Sequence, residues 1–239
     1  MKYLDLSFAD AASNLACDEA LLNLCESKGE EEILRVWQPQ GYFVVLGYSN
    51  RVNLEVNVAA CEARGIPILR RFSGGGTVLQ GPGCLNYSLV LKNDRPGSSS
   101  DIPGSYEIVL RRHQRLFGEL IGKKVRIEGI SDLAIAGKKF SGNAQHRKRR
   151  YTLFHGTFLL GLEFCLVGDC LPMPSKQPEY RRNRSHDGFL RNLAVDAQSV
   201  RDGLRTEWGT GKVFNDVPYE EIQRLVRDRY SRAEWRLKF

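Results

Sequence analysis

The stretch Arg70-Arg71-Phe72-Ser73-Gly74-Gly75-Gly76-Thr77-Val78 sets three consecutive glycines between two arginines and a β-branched pair. Without a Cβ in the bend, backbone NH groups can approach a bound anion closely and the chain can take positive φ. The flanking guanidinium groups add fixed charge and forked donors suited to a carboxylate or phosphate. Taken alone, the segment also reads as a flexible hairpin loop with solvated arginines. Two further polar segments belong with it: Ser131-Asp132-Leu133 and Gly137-Lys138-Lys139-Phe140-Ser141-Gly142-Asn143-Ala144. In an extended strand Lys139 and Ser141 are expected on one face, with Lys138 and Phe140 on the other. If Phe140 faces a core, Lys138 must sit at the strand end; a solvated lysine is the plain alternative for either.

These segments need a scaffold to bring them together. Pro67 to Phe72 reads as a strand entering the glycine loop, and Thr77 to Leu79 and Asn86 to Leu91 as strands flanking the turn Gln80-Gly81-Pro82-Gly83-Cys84. Val125 to Ile127, Leu133 to Ile135, Lys139 to Asn143 and Thr152 to Leu160 follow as strands. Ile33 to Trp37 and Tyr42 to Leu46 are predicted to pair as an antiparallel hairpin across Gln38-Pro39-Gln40-Gly41. A helix capped by Ser13 or Asn14 turns Leu15, Leu21, Leu22 and Cys25 to one side and the more polar Asp18, Glu19 and Glu26 away. A second helix is predicted from about Asn53 to Arg64, stopped by Gly65, and a third over Tyr106 to Ile121. Asn93 to Gly104, with its serine run, reads as an exposed loop. From Leu162 the chain reads mostly helical, ending in Tyr219 to Tyr230 and a tail with Trp235. Strand runs broken by single helices, without βαβ alternation, give an α+β class with mixed or antiparallel sheets and flanking helices, in a single domain over 1–239.

A hydrophobic content of 42% and a charged content of 26% are those of an ordinary globular chain. The net charge of +7 does not imply nucleic acid, because the basic residues are scattered except in His146 to Arg150 and Arg181 to Arg184. No helix-turn-helix, zinc-finger or aromatic RNA-reading motif accompanies them. A basic surface also steers acidic small molecules and acidic proteins toward a site. The six cysteines show no CxxC spacing and read as free thiols. With no signal peptide and no apolar run of membrane length, a cytoplasmic protein without a membrane partner is expected.

In order along the chain, Arg70 to Val78, Ser131-Asp132-Leu133, Gly137 to Ala144 and His155-Gly156-Thr157-Phe158-Leu159 resemble the motifs of the lipoate-protein ligase A family, part of the biotin/lipoate ligase and octanoyltransferase superfamily. The family pattern is Arg-Arg-x-Ser-Gly-Gly-Gly-x-Val, Asn-Asp-Leu, Gly-Lys-Lys-x-Ser-Gly-x-Ala and His-Gly-Thr-Leu-Leu. The resemblance implies a biotin/lipoate ligase-like catalytic domain. It implies ATP-dependent activation of lipoate or octanoate to acyl-AMP and transfer to a lysine of a lipoyl domain. ATP and Mg2+ come with that implication. So do acceptors such as dehydrogenase E2 subunits and the glycine cleavage H protein. On the matching positions Lys139 is the catalytic lysine, touching the acyl carbonyl and the α-phosphate, where an ammonium offsets developing charge. The resemblance puts Arg71, Gly76, Thr77, Val78, Leu79, Asp132 and Lys139 at ATP-binding positions, and Arg71, Gly74, Gly75, Lys139 and His155 at lipoate-binding positions. Asp132 also falls where the family places its metal. Phe43 and Val78 are further candidates for the acyl tunnel, and a core histidine bonded to backbone is the alternative for His155.

The match departs at Gln80, where the family usually has histidine, and at Cys84, where it has asparagine or glutamine. Gln80 keeps hydrogen-bonding ability but cannot hold a charge. Gly81-Pro82-Gly83 resembles the turn of the octanoyltransferase branch, in which an acyl-thioester forms on a cysteine. Cys84 therefore reads either as a nucleophile or as a small buried residue. The rival functions are an octanoyl-carrier-protein-dependent transferase and a non-catalytic acyl- or nucleotide-binding module. Arg147 to Arg150 reads as a nucleotide gate, a dock for an acidic acceptor or a solvated loop. The family's C-terminal accessory domain is expected to be absent from these residues, with a separate accessory chain as its substitute.

Overall fold

A computed structural model describes residues 1–29, 31–94 and 101–239. The strands are β1 (Lys2–Asp5), β2 (Ile33–Trp37), β3 (Phe43–Leu46), β4 (Ile68–Arg70), β5 (Val78–Gln80), β6 (Cys84–Lys92), β7 (Arg126–Glu128), β8 (Asp132–Ile135), β9 (Lys138–Arg147), β10 (Tyr151–Leu159) and β11 (Lys212–Val213). The helices are α1 (Ala11–Lys28), α2 (Val52–Glu55), α3 (Val58–Ala63), α4 (Ile102–Ile121), α5 (Phe164–Cys170), α6 (His186–Phe189), α7 (Ala197–Glu207), α8 (Tyr219–Leu225) and α9 (Ala233–Arg236). Eight strands form one mixed sheet in the order β11-β1-β2-β6-β10-β9-β8-β7, and β4-β3-β5 form a second. This is the expected α+β class.

Period-two alternation decides what each face of the large sheet covers. Tyr87, Phe154, Phe158, Leu133 and Phe140 point to one side, where Val109, Leu110 and Phe117 of α4 and Val200 and Leu204 of α7 complete a core. Tyr151 and Leu153 point to the other side, against α1 and the inner face of the small sheet through Phe43, Val45, Leu69 and the adjoining Phe72. The outer face of the small sheet, Val44, Leu46 and Leu79, packs on Cys61, Val167 and Cys170 of α3 and α5. The small sheet is thus a lid fixed over part of the large one. Among the described residues no helix is long and apolar enough to cross a membrane.

Several local expectations give way to tertiary contacts. Ile33 to Trp37 and Tyr42 to Leu46 do not form a hairpin: β2 pairs with β1 and β6, while β3 pairs with β4 and β5 in the other sheet. Asp10, not Ser13 or Asn14, caps α1, accepting from Ser13 N at 2.7 Å. Asn14 instead serves Arg35, whose buried guanidinium also meets Asp18 Oδ1 at 2.6 Å. Asp18 and Glu19 are buried rather than turned to solvent, because α1 is enclosed both by the sheet and by Arg229 and Tyr230 near the C-terminus. The helix expected over Asn53 to Arg64 is broken into α2 and α3, with Asn57 capping the second. The third helix starts earlier than expected, at Ile102, where Asp101 accepts from Gly104 N. Within the loop expected over Asn93 to Gly104, residues 95–100 lie outside the described residues. β1 and β11, short strands with weak patterns, were not expected.

Candidate active site

The lysine strand carries a register shift. Asp132 lies opposite Gly142 and Leu133 opposite Ser141, yet Ala134 lies opposite Lys139, leaving Phe140 as an extra residue. One inserted residue reverses the alternation beyond it and re-aims a side chain. Lys139 therefore shares a face with Asp132 and Gly142 rather than with Ser141, which corrects the regular-strand expectation. Phe140 drops into the core beside Leu133. Lys139 Nζ sits 2.8 Å from Asp132 Oδ1, with its side chain 23% exposed. Lys138, at the strand end as expected, is exposed and donates weakly to the Asp187 carbonyl at 3.4 Å. Tyr180 Oη donates to the second Asp132 oxygen at 2.8 Å. Burial, and then the Asp132 charge, push the Tyr180 phenol far above its ordinary pKa, so it remains a donor.

Strand register builds the rest. Trp37, Asn86, Thr157, Gly142 and Asp132 form one row across five strands. Arg35, Ser88, His155 and Ala144 form the next row on the same face. The small sheet and its glycine loop lie over both. Ser73 Oγ and His155 Nε2 share a 2.6 Å hydrogen bond. A Cβ on Gly75 would come within 3.4 Å of Ala144 Cβ, so the loop rests on the cross-strand neighbour of His155. Gln80 Nε2 donates to Thr157 Oγ1 at 2.7 Å, and Thr157 donates to Asn86 Oδ1 at 2.5 Å. Gln80 Oε1, Asn86 Nδ2 and Trp37 Nε1 are buried without a partner inside the protein, so the row keeps capacity for a bound molecule or water. Burial, with Arg71 and His146 nearby, lowers the His155 pKa to about 3, leaving it neutral near pH 7.

The two arginines do different work. Arg71 donates to the Gly74 carbonyl at 2.6 Å and the Gly76 carbonyl at 2.8 Å, bracing the bend from below. Burial lowers its pKa to about 10, so it stays charged at neutral pH. Gly75 takes φ +88°, and any Cβ there would lie 2.8 Å from Arg71 Nη2. Gly74, Gly75 and Gly76 are exposed, and among the described residues their NH groups make no hydrogen bond. Oriented NH groups of this kind over a positive charge make an anion-binding concavity. Arg70 does not face the loop's anion side, contrary to expectation. It is fully buried and donates to the carbonyls of Gly47, Tyr48, Asn50 and Trp235, tying the tail to the loop before α2.

Of the remaining expected residues, Thr77 and Val78 are half-buried at the loop's exit, and Phe43 and Gln80 face the large sheet. The Leu79 side chain points into the outer core, so only its backbone is available to the loop. Cys84 is fully buried in that same core, and burial pushes its thiol up to about 12. Such burial disfavours the thiolate that a Cys84 nucleophile would need. The basic run is tied down as well: Lys148 donates to Asn23 Oδ1 at 2.5 Å, and Arg150 is bonded to Glu26. Sequence reasoning missed Tyr180, which no spacing relates to Asp132. It also missed Tyr106, which lies close enough to Arg71 and Asp132 to feel both charges.

A family model described as "Lipoyl protein ligase A/B catalytic domain" matches residues 10–200. The chain is 27% identical to octanoyltransferase LipM of Brevibacillus brevis, over 99% of this chain and 98% of that protein. It is 31% identical to a Mycoplasma pneumoniae protein named "Probable lipoate-protein ligase A", over 93% of this chain and 67% of that one. Among solved structures, the bi-partite lipoate protein ligase of Thermoplasma acidophilum superposes with a TM-score of 0.84 at 23% identity, covering 99% of this chain and 95% of its own. A lipoate-protein ligase A bound with ATP superposes with a TM-score of 0.82 at 22% identity, over 99% and 98%. By the span of the family match and the identity to these relatives, the chain belongs to the lipoyl protein ligase A/B catalytic domain family, an enzyme family of lipoate-protein ligases and octanoyltransferases.

Proposed function

We propose that this chain is an ATP-dependent lipoate-protein ligase. It activates lipoate or octanoate to acyl-AMP and transfers the acyl group to a lysine of a lipoyl domain. The carrying observation is Lys139, held at Asp132 beside a braced glycine loop with open NH groups. In the first step a carboxylate oxygen of the acid attacks the α-phosphorus and the bond to pyrophosphate breaks. Lys139 offsets charge at the α-phosphate and the acyl carbonyl. The NH groups of Gly76 and the backbone from Thr77 to Leu79 receive the nucleotide, and Arg71 acts by holding the bend. In the second step the acceptor amine attacks the acyl carbonyl, the bond to AMP breaks, and the amine loses a proton to solvent. Lys139 polarises the carbonyl throughout.

The row from Asp132 to Trp37 crosses four strand spacings, or about 19 Å. On this reading the acyl chain starts at Lys139 and lies between the large sheet and Gly74, Gly75, Phe43 and Val78, with His155 as a neutral wall, and the Gln80–Thr157 bond that joins the two sheets limits how far it runs along the row. Among the described residues no group of three or more His, Cys, Asp or Glu comes together to hold a metal. One carboxylate still suits magnesium, which is commonly held by one or two acids plus substrate phosphates. Asp132 is that acid, and the ion when bound supplies charge neutralisation to the phosphates. A separate accessory chain is proposed alongside, since the Thermoplasma neighbour is described as bi-partite.

The second reading is carrier-dependent octanoyl transfer, favoured by the full-length likeness to LipM. It needs a reactive thiolate. Five of the six cysteines are buried, Cys165 alone is exposed, and the thiols of Cys17, Cys61 and Cys84 are pushed up to about 12 by burial. The discriminating experiment follows pyrophosphate release from ATP with lipoate or octanoate. Acid-dependent release supports the ligase; its absence with turnover from octanoyl-carrier protein overturns it.

A further inference from the structure

We propose that Asn143, aimed by Tyr87 across Gly156, is a positioning residue that sets Asp132, and through it Lys139, for acyl activation. The proposal rests on the ligase reading for its kinetic part and on geometry for the rest. Asp132 opens β8 straight after a turn through Gly129, at φ +57°, and Ile130, which is 70% exposed. Its other neighbour strand, β7, is the edge of the sheet. A carboxylate at such a corner needs an anchor to hold one position.

The anchor lies on the back of the sheet. Asn143 Nδ2 donates to the Ser131 carbonyl at 2.7 Å, fixing the peptide that precedes Asp132. Tyr87 Oη donates to Asn143 Oδ1 at 2.6 Å and so fixes which way the amide points. Tyr87, Gly156 and Asn143 occupy one register row on β6, β10 and β9. The glycine between them leaves the space through which the phenol reaches. A Cβ at 156 would collide with Asn143 Oδ1 and lie 2.9 Å from Tyr87 Cε1. The Tyr87 ring is itself clamped, stacked on Phe158 at 5.0 Å and edge-on to His113 at 4.7 Å. His113 is fixed in turn by Trp208 Nε1, which donates to its Nε2 at 3.0 Å. A rigid core thus specifies the orientation of one amide, and that amide specifies an acid corner on the opposite face.

The test compares Asn143→Ala, Asn143→Asp and Tyr87→Phe with wild type. Asn143→Asp keeps an acceptor for Tyr87 but cannot donate to Ser131, and Tyr87→Phe keeps the core ring. In the free protein, acylation of Lys139 by a small amine-reactive reagent is followed by mass spectrometry, with Lys138 as internal control. A several-fold rise at Lys139 alone is expected in both Asn143 variants. In steady-state pyrophosphate release, kcat is expected to fall roughly 10- to 100-fold with KM for acid and ATP within about twofold. Tyr87→Phe should show a smaller change of the same pattern. Unchanged Lys139 labelling in Asn143→Ala and Asn143→Asp, whatever their thermal midpoints, overturns the proposal. If wild type releases no pyrophosphate, the ligase reading fails while the labelling still judges the positioning.

Discussion

Lys139 reaches Asp132 at 2.8 Å because Phe140 occupies an extra position in β9. A regular strand would put the lysine on the face of Ser141, which is fully buried. The bulge therefore couples a core contact to a site contact, and it separates two adjacent lysines into an inward and an outward one. Lys139→Ala is expected to abolish acyl-adenylate formation, whereas Lys138→Ala keeps it within about threefold, since exposed charges away from a site contribute little. Acid-quenched assays of acyl-AMP measure both, and equal losses would contradict the assignment.

Gly142 gives Lys139 its path. A Cβ there would lie 2.6 Å from Lys139 Nζ and 2.7 Å from its Cε. The flexible lysine end can move aside, so Gly142→Ala should change stability by less than about 1 kcal/mol. Displacing the ammonium by about 1 Å should cost on the order of 100-fold in activity. Thermal midpoints and pyrophosphate release check the two halves; full activity would mean that the resting position of Lys139 is not its working position.

Cys84 is a packing residue on this account. Cys84→Ala is expected to cost about 1 kcal/mol of stability and to leave turnover intact. Intact-mass analysis of the enzyme during turnover should find no acyl adduct at this position. An adduct lost together with all activity in Cys84→Ala would restore the thioester route.

His113 and His155 predict a loss of stability in acid. Burial lowers both pKa values to about 3, against an unfolded value near 6.5. Between those limits the unfolded chain binds protons that the folded chain refuses. Stability is therefore fully present above about pH 6.5 and falls toward pH 3, by at most about 1.4 kcal/mol per pH unit for each histidine, less for the part-exposed His155. Urea midpoints at about pH 7 and pH 5 should differ, and His113→Gln should shallow the difference while still accepting from Trp208. An identical pH slope in the variant would show that His113 is not buried neutral.

The sequence made the motifs legible and left their geometry hidden. Three glycines beside Arg71 announced an anion loop from local chemistry alone, and Phe140 between Lys139 and Ser141 announced a strand. No local pattern marks a bulge whose cause is the fit of Phe140 into a distant core. Arg70 and Arg71 look equivalent in sequence, yet Arg70, the last residue of β4, is consumed by four carbonyls and Arg71, the next residue, braces the loop. Ile33 to Trp37 and Tyr42 to Leu46 have hairpin spacing, but each fits a different sheet better, and tertiary pairing overrides turn chemistry. Tyr180 and Asn143 were invisible as site residues because their roles lie in contacts between strands and loops far apart in the chain.

The most direct measurement follows an unmodified lipoyl domain by intact mass after incubation with this chain and lipoate or octanoate, with and without ATP and magnesium. A parallel reaction offers octanoyl-carrier protein without ATP. The account predicts an acyl mass shift on the acceptor only when ATP is present, and none with Lys139→Ala. A shift from the carrier donor without ATP would contradict it and make the chain an octanoyltransferase.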